Sequence, residues 1–298
     1  MSDRGGLIER AAARLREGTS RESATVAPGI PGSPAAAAAL APPLSRSIVL
    51  DRNHLAQSGI MMPWTTTARV VEEFRIIKRR IMFPWQLPEY PKAQNRAPRV
   101  VMVTSSRPRE GKTYCSINLA LAFAAEENLV TVLIDADAVR GDTAKVLRIS
   151  PNPGFTDILS GESRLPEVLM QSDIPNLVIL PPGLHGPHVP ELLAGRGPNL
   201  VFAEIASRYP EHVIILDTPP CLASTDPVAF APIVDQVVFV IEAGYTQRSE
   251  IESSLSLISS CRNISFLLNK TPVGSSEHFG SYSYYYNPET TTAKAGEN

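Results

Sequence analysis

Gly111-Lys112-Thr113 lies between an apolar run and a helical stretch in "VVMVTSSRPREGKTYCSINLA", with the spacing of the second half of a phosphate-binding loop. In such a loop, backbone N–H groups at a helix N-terminus hold phosphate oxygens. The lysine ammonium reaches the β- and γ-oxygens, and the hydroxyl that follows it ligates Mg2+. Ser106, Arg107, Pro108, Arg109, Glu110, Gly111, Lys112, Thr113 and Tyr114 are therefore the expected nucleotide contacts, with Ser106 standing where the motif ordinarily has glycine. Two further apolar runs end in acid. "VTVLID" continues into Asp135-Ala136-Asp137, and "HVIILDTPP" carries Asp217. A carboxylate at a strand end is placed to hold Mg2+ through water. A solvated turn or a helix cap is the blander use of such aspartates, but a loop lysine followed in order by two acidic strand ends is hard to obtain by accident. Lys112, Asp135, Asp137 and Asp217 are the candidate catalytic set, with Thr113 and the three aspartates as metal ligands for Mg2+ and ATP as the nucleotide.

Those residues need strands to carry them. "VVMVTS", "VTVLID", "NLVILPP", "HVIILDTPP", "QVVFVIEA" and "ISFLLNK" are rich in Val, Ile and Leu at successive positions. Continuous rather than alternating hydrophobicity marks strands covered on both faces, as in a parallel sheet. Helical stretches such as "TYCSINLALAFAAEEN" and "RSEIESSLSLISSC" lie between them. The spacing predicts an α/β, doubly wound, mostly parallel sheet over residues 98–272, with ligands at the carboxyl ends of the strands. Asn269, at the end of the last run, is a further expected nucleotide contact.

The flanks read differently. Residues 1–17 hold a short helical pattern, and residues 18–62 form a Pro/Ala-rich linker that includes "PGIPGSPAAAAALAPP". Residues 63–97 carry a helix over 68–83, where Val70, Phe74, Ile77 and Ile81 fall at helical spacing. Residues 273–298 hold Tyr282, Tyr284, Tyr285 and Tyr286, half of the chain's 8 tyrosines, without apolar periodicity. Such a segment cannot bury enough surface to offset its chain entropy and is expected to be disordered. Those phenols are either a compositional accident or phosphorylation substrates.

A formal net charge of −2 leaves no bulk attraction to nucleic acid, and Glu72 and Glu73 interrupt the basic residues of the 68–83 helix. The 3 cysteines lack CxxC spacing, which fits a reducing cytoplasm and no thiolate metal site. No apolar run approaches the roughly 18–20 residues of a membrane span, and the N-terminal segment lacks the apolar core of a secretory signal. His185 and His188 share a Pro/Gly loop without further ligand spacing and read as loop residues.

Over roughly residues 68–286 the chain resembles the bacterial tyrosine kinases that control exopolysaccharide synthesis. The likeness rests on "TSSRPREGKT" as Walker A, "LIDAD" as Walker A′, "IILDTPP" as Walker B and the tyrosine-rich tail. "LIERAAARL" near the start makes the layout most similar to the autokinases of exosortase-linked exopolysaccharide loci. The resemblance implies a P-loop kinase that uses ATP and Mg2+ to phosphorylate Tyr282, Tyr284, Tyr285 and Tyr286, in a homo-oligomer that phosphorylates in trans. It implies an oligomerisation motif at Glu72, Arg75 and Lys78, a membrane-spanning co-polymerase that recruits the chain to the inner face of the plasma membrane, and a tyrosine phosphatase. Three positions depart from the family. Arg109 replaces a glycine, Val139 with Arg140 replaces an arginine two residues after the second aspartate, and Lys78 replaces an arginine. The alternatives are an ATPase switch like the partition and septum-positioning proteins, which share the fold but lack a tyrosine-clustered tail, and a catalytically weak nucleotide-binding scaffold.

Overall fold

The computed structural model describes residues 44–60, 62, 69–86 and 99–272. The N-terminal helix, most of the Pro/Ala-rich segment and the tyrosine cluster lie outside the described residues. In chain order the elements are β1 (Arg46–Ile48), α1 (Arg52–Gln57), α2 (Arg69–Met82), a 3-10 turn (Phe83–Gln86), β2 (Val100–Ser105), α3 (Lys112–Ala124), β3 (Val130–Asp135), α4 (Asp142–Leu147), α5 (Phe155–Leu159) and α6 (Leu165–Val168). They continue with β4 (Met170–Ser172), β5 (Leu177–Leu180), α7 (Val189–Ala194), α8 (Gly197–Arg208), β6 (His212–Asp217), α9 (Asp226–Phe230), β7 (Gln236–Glu242), α10 (Arg248–Leu257) and β8 (Ile264–Asn269).

The strands form one sheet in the order β1-β4-β5-β3-β6-β2-β7-β8. Every neighbouring pair is parallel except β4 with β5. Successive side chains point to opposite faces, and in β2 both sets are apolar. Val101 and Val103 join Phe74, Ile81, Leu119 and Phe123 in one core, while Val100 and Met102 join Phe155, Phe202 and Phe230 in the other. That two-sided burial is why the central strands read as unbroken Val/Ile/Leu runs. The strands β2, β3 and β6 end side by side, which brings the phosphate loop and the acidic strand ends to one edge.

Two expectations change. The linker reading of residues 18–62 fails over its last part: β1 pairs in parallel with β4, Arg46 opposite Met170, and Leu50, Leu55, Ile60 and Met62 are buried in the core. Asp51 caps α1 by accepting the His54 N–H at 3.0 Å, and Asp173 accepts the Leu50 N–H at 3.0 Å. A strand of three residues has no periodicity to read. The helix at 69–82 forms as expected, but its buried stripe is Val71, Phe74, Lys78 and Ile81. Lys78 is therefore not on an exposed oligomer face. Its side chain is buried, and its ammonium pairs with Glu126, just after α3. Glu72 and Arg75 pair with each other on the open side. No helix among the described residues is long and apolar enough to cross a membrane.

Candidate active site

The loop between β2 and α3 is held from outside by polar side chains. Glu110, 2% exposed, accepts the Arg107 N–H at 2.6 Å and the Thr246 hydroxyl. The Ser105 hydroxyl donates to the Arg107 carbonyl at 2.9 Å. From the end of β8, Asn269 donates to the Glu110 carbonyl at 2.9 Å and Lys270 to the Arg109 carbonyl at 2.7 Å. Asn269, expected as a nucleotide contact, here braces the loop backbone. Gly111 has φ +96°, and a Cβ there would lie 2.1 Å from Asn269 Nδ2, so only glycine fits. Ser106 is tolerated in place of glycine because it is absent from the positive-φ positions and its hydroxyl accepts from Ser254 at 3.0 Å. Arg109 does occupy φ +72°, the conformation its glycine counterparts adopt freely. The Tyr114 ring packs edge-on against Phe74 at 6.1 Å.

This bracing presents the unpaired amides of the first turn of α3 toward the strand ends, as at any helix start. Lys112 opens that turn and is buried. Burial lowers the pKa of its ammonium, while Asp217, Asp137 and Glu110 pull it back up.

Asp217, 2% exposed, accepts three hydroxyls: Thr113 at 2.8 Å, Thr143 at 2.8 Å and Ser116 at 3.0 Å. Asp135, fully buried, stands opposite Asp217 on the neighbouring strand. It accepts the Asp137 N–H at 3.1 Å and the Ala144 N–H at 3.4 Å. Asp137 accepts the Arg140 N–H at 3.0 Å. Desolvation raises the pKa of all three carboxyls, and for Asp135 the neighbouring Asp217 charge adds to it. Three buried carboxyls thus face one buried ammonium, a surplus of negative charge that a divalent cation would offset. Among the described residues no three His, Cys, Asp or Glu side chains converge to hold an ion by themselves. Mg2+ held at Thr113 and Asp217 would complete its shell with phosphate oxygens and water, its ordinary habit.

The sequence-predicted set Lys112, Thr113, Asp135, Asp137 and Asp217 is therefore one site. Thr143 and Ser116 were missed. Ser116 lies one turn after Lys112 and could have been found by helical spacing, whereas nothing local marks Thr143. Val139, at the A′ departure, is exposed, and Arg140 follows it with its guanidinium 3.8 Å from Asp142. His185 and His188 lie in the segment leading into α7.

No protein-family model matches the chain. It is 27% identical over 219 residues to the putative tyrosine-protein kinase CapB of Staphylococcus aureus, covering 73% of this chain and 90% of that one. It is 27% identical over 213 residues to the tyrosine-protein kinase YwqD of Bacillus subtilis, covering 71% and 85%. Among solved structures, the VpsO kinase domain is 31% identical, with a TM-score of 0.54, and covers 69% of this chain and 100% of that one. These likenesses span most of the length of each kinase relative: the chain belongs to the bacterial tyrosine kinases and is a protein-tyrosine kinase.

Proposed function

We propose that this kinase transfers the γ-phosphoryl group of ATP to Tyr282, Tyr284, Tyr285 and Tyr286 of a neighbouring copy of itself, and so controls exopolysaccharide synthesis and export. The observation that carries the reading is the cluster of buried Lys112, Asp135, Asp137 and Asp217 with Thr113, which donates to Asp217, in the same chain as four clustered phenols. Mg2+ bound with the nucleotide would neutralise phosphate charge and orient the β- and γ-oxygens, with Thr113 and Asp217 holding it and Asp135 acting through water. Lys112 supplies the fixed charge on the β/γ oxygens, and the amides of Glu110, Gly111 and Thr113 cradle the phosphates.

Asp135 is closed off and held by two backbone amides, whereas Asp137 is 8% exposed. Asp137 is therefore the carboxylate that a phenol arriving from outside can reach. It accepts the phenolic proton as the phenol oxygen bonds to phosphorus and the bond to the bridging oxygen of ADP breaks. Its raised pKa makes it a better base than an ordinary aspartate.

The exposed Glu72–Arg75 face of α2 is the contact between copies, without Lys78. Each phosphate adds roughly −1.5 to −2 charges, so a multiply modified tail repels its neighbours and opens the assembly. A membrane-spanning co-polymerase recruits the cytoplasmic chain, and a tyrosine phosphatase resets it. The test is ATP incubation followed by phosphotyrosine detection. Lys112→Met must lose the signal while keeping a cooperative melt; retained kinase activity in that variant sinks the assignment.

A further inference from the structure

Beside the acidic cluster, a cavity of about 480 Å3 opens between the loops that follow β3, β5 and β6. Ala138 and Val139, the two residues after Asp137, form one wall. Val189 and Leu222 add apolar surface, and Asp226, His185, Ser224 and Thr225 are the polar residues of the lining. Val139 is 69% exposed and Leu222 44%, so the apolar rim is open to an incoming chain. The lining contains neither lysine nor arginine. An anion that entered would lose its hydration, meet no strong counter-charge and lie beside the Asp226 carboxyl, so neither nucleotide phosphates nor a phosphotyrosine fits it. An aromatic body with a hydroxyl tip does fit, with apolar walls for the ring and Asp226 or His185 for the phenol. A second cavity of about 330 Å3 shares Ala138 and His185 with the first but carries Arg140, Lys145 and Arg148. Those cations are engaged with Asp142 and Asp51.

We propose that the first cavity binds an unmodified tyrosine adjoining the acceptor in the tail of a second copy, making the enzyme selective for tails whose neighbouring tyrosine is not yet phosphorylated. This rests on the tail-phosphorylation reading and assigns its acceptor side. The occupant follows from chemistry and spacing. In Tyr282, Tyr284, Tyr285 and Tyr286 every phenol has another one or two residues away, roughly 3.5–7 Å along an extended chain. With one of them at Asp137, the next falls at the wall formed by Ala138 and Val139.

The test uses full-length enzyme whose own four tail tyrosines are phenylalanine, with synthetic peptides of residues 279–288, unmodified or phosphorylated at Tyr284. Phosphorylation at Tyr284 should raise the peptide KM about tenfold, and Asp226→Asn should narrow that gap several-fold. Leu222→Asp, at an exposed position, should raise the KM of the unmodified peptide about tenfold while the KM for ATP stays the same. An unchanged peptide KM in Leu222→Asp overturns the proposal. Tighter binding of the phosphorylated peptide overturns it too, by placing the neighbour in the cationic cavity. If the enzyme modifies neither this peptide nor the tail of a Lys112→Met copy, the tail reading itself has failed, which is a different result from either.

Discussion

Asp135 and Asp217 stand directly opposite each other as the last residues of neighbouring parallel strands, both withdrawn from water. Two like charges at that position destabilise each other, and burial opposes the ionisation of both. Three hydroxyls on Asp217, two amides on Asp135 and the Lys112 ammonium offset part of this. The remaining imbalance is one that a divalent cation would offset.

Asp217→Asn removes one of the two charges yet keeps the volume. An amide cannot accept from Thr113, Thr143 and Ser116 as a carboxylate does, so the hydroxyl cluster loses its common acceptor. Turnover should fall by at least about a hundredfold, and ADP affinity should lose most of its dependence on Mg2+. Titration calorimetry with and without Mg2+ checks this; a variant with normal Mg2+ dependence would make Asp217 structural.

Arg109 tests the loop backbone separately from its charge. At φ +72° a β-branched side chain clashes, so Arg109→Val should lower stability by about 1–2 kcal/mol. Arg109→Gly relieves the strain at the cost of a freer unfolded chain and should stay within about 1 kcal/mol of the parent. Both variants keep the carbonyl that Lys270 binds. Urea denaturation separates them, and equal stabilities would mean that no strain is stored there.

Much of this was legible in the residues, for identifiable reasons. The central strands are buried on both faces, and their Val/Ile runs said so. The phosphate loop and the acidic strand ends kept motif spacing, so Lys112, Thr113, Asp135, Asp137 and Asp217 could be found without a fold. Lys78 came into the oligomer motif through the family resemblance, and the resemblance could not show that its lysine stem lies buried with its tip paired. β1 and β4 are too short to carry a pattern, and their pairing joins residues far apart in the chain. Thr143 reaches the site only through topology.

The two motif residues on α2 should behave oppositely. Lys78→Ala breaks a pair whose ammonium end is buried and whose carboxylate partner is 42% exposed, which should cost roughly 1–2 kcal/mol of monomer stability. Arg75→Ala removes an exposed pair with Glu72 and should leave the melt within about 0.5 kcal/mol, while shifting the protein to smaller species. Denaturation paired with light scattering after size exclusion reads both. A stable Lys78→Ala that dissociates would return Lys78 to the oligomer face.

Alkaline pH should weaken the fold through a thiol. Burial, with the Asp217 charge adding to it, pushes Cys115 from the ordinary 9.0 up to about 12. The unfolded chain therefore ionises first, so this contribution is complete below pH 9 and is lost as the pH rises toward 12. Cys115→Ala should flatten that part of the stability–pH curve, and the native thiol should resist alkylation at pH 8. Rapid alkylation of Cys115 in folded protein would show that it is not sealed.

The tail remains the decisive acceptor question, and the structure supplies its control. Among the described tyrosines, Tyr209 is buried and Tyr114 is packed against Phe74, whereas Tyr245 is 76% exposed on the turn after β7. Tyr245 is thus a folded, accessible competitor for phosphate. Replacing Tyr282, Tyr284, Tyr285 and Tyr286 with phenylalanine keeps the rings and removes only the hydroxyls. If the tail is the substrate, phosphotyrosine falls nearly to zero, ATP binding persists, and Tyr245→Phe alone changes nothing. The comparison is geometric: in-line transfer needs the phenol oxygen within about 3 Å of phosphorus, and Tyr245 sits on a turn whose next residue, Thr246, donates to Glu110 of the phosphate loop. Mass spectrometry of ATP-treated protein decides between them, and phosphate found mainly on Tyr245, Tyr209, Tyr114 or Tyr90 would remove the tail from the mechanism.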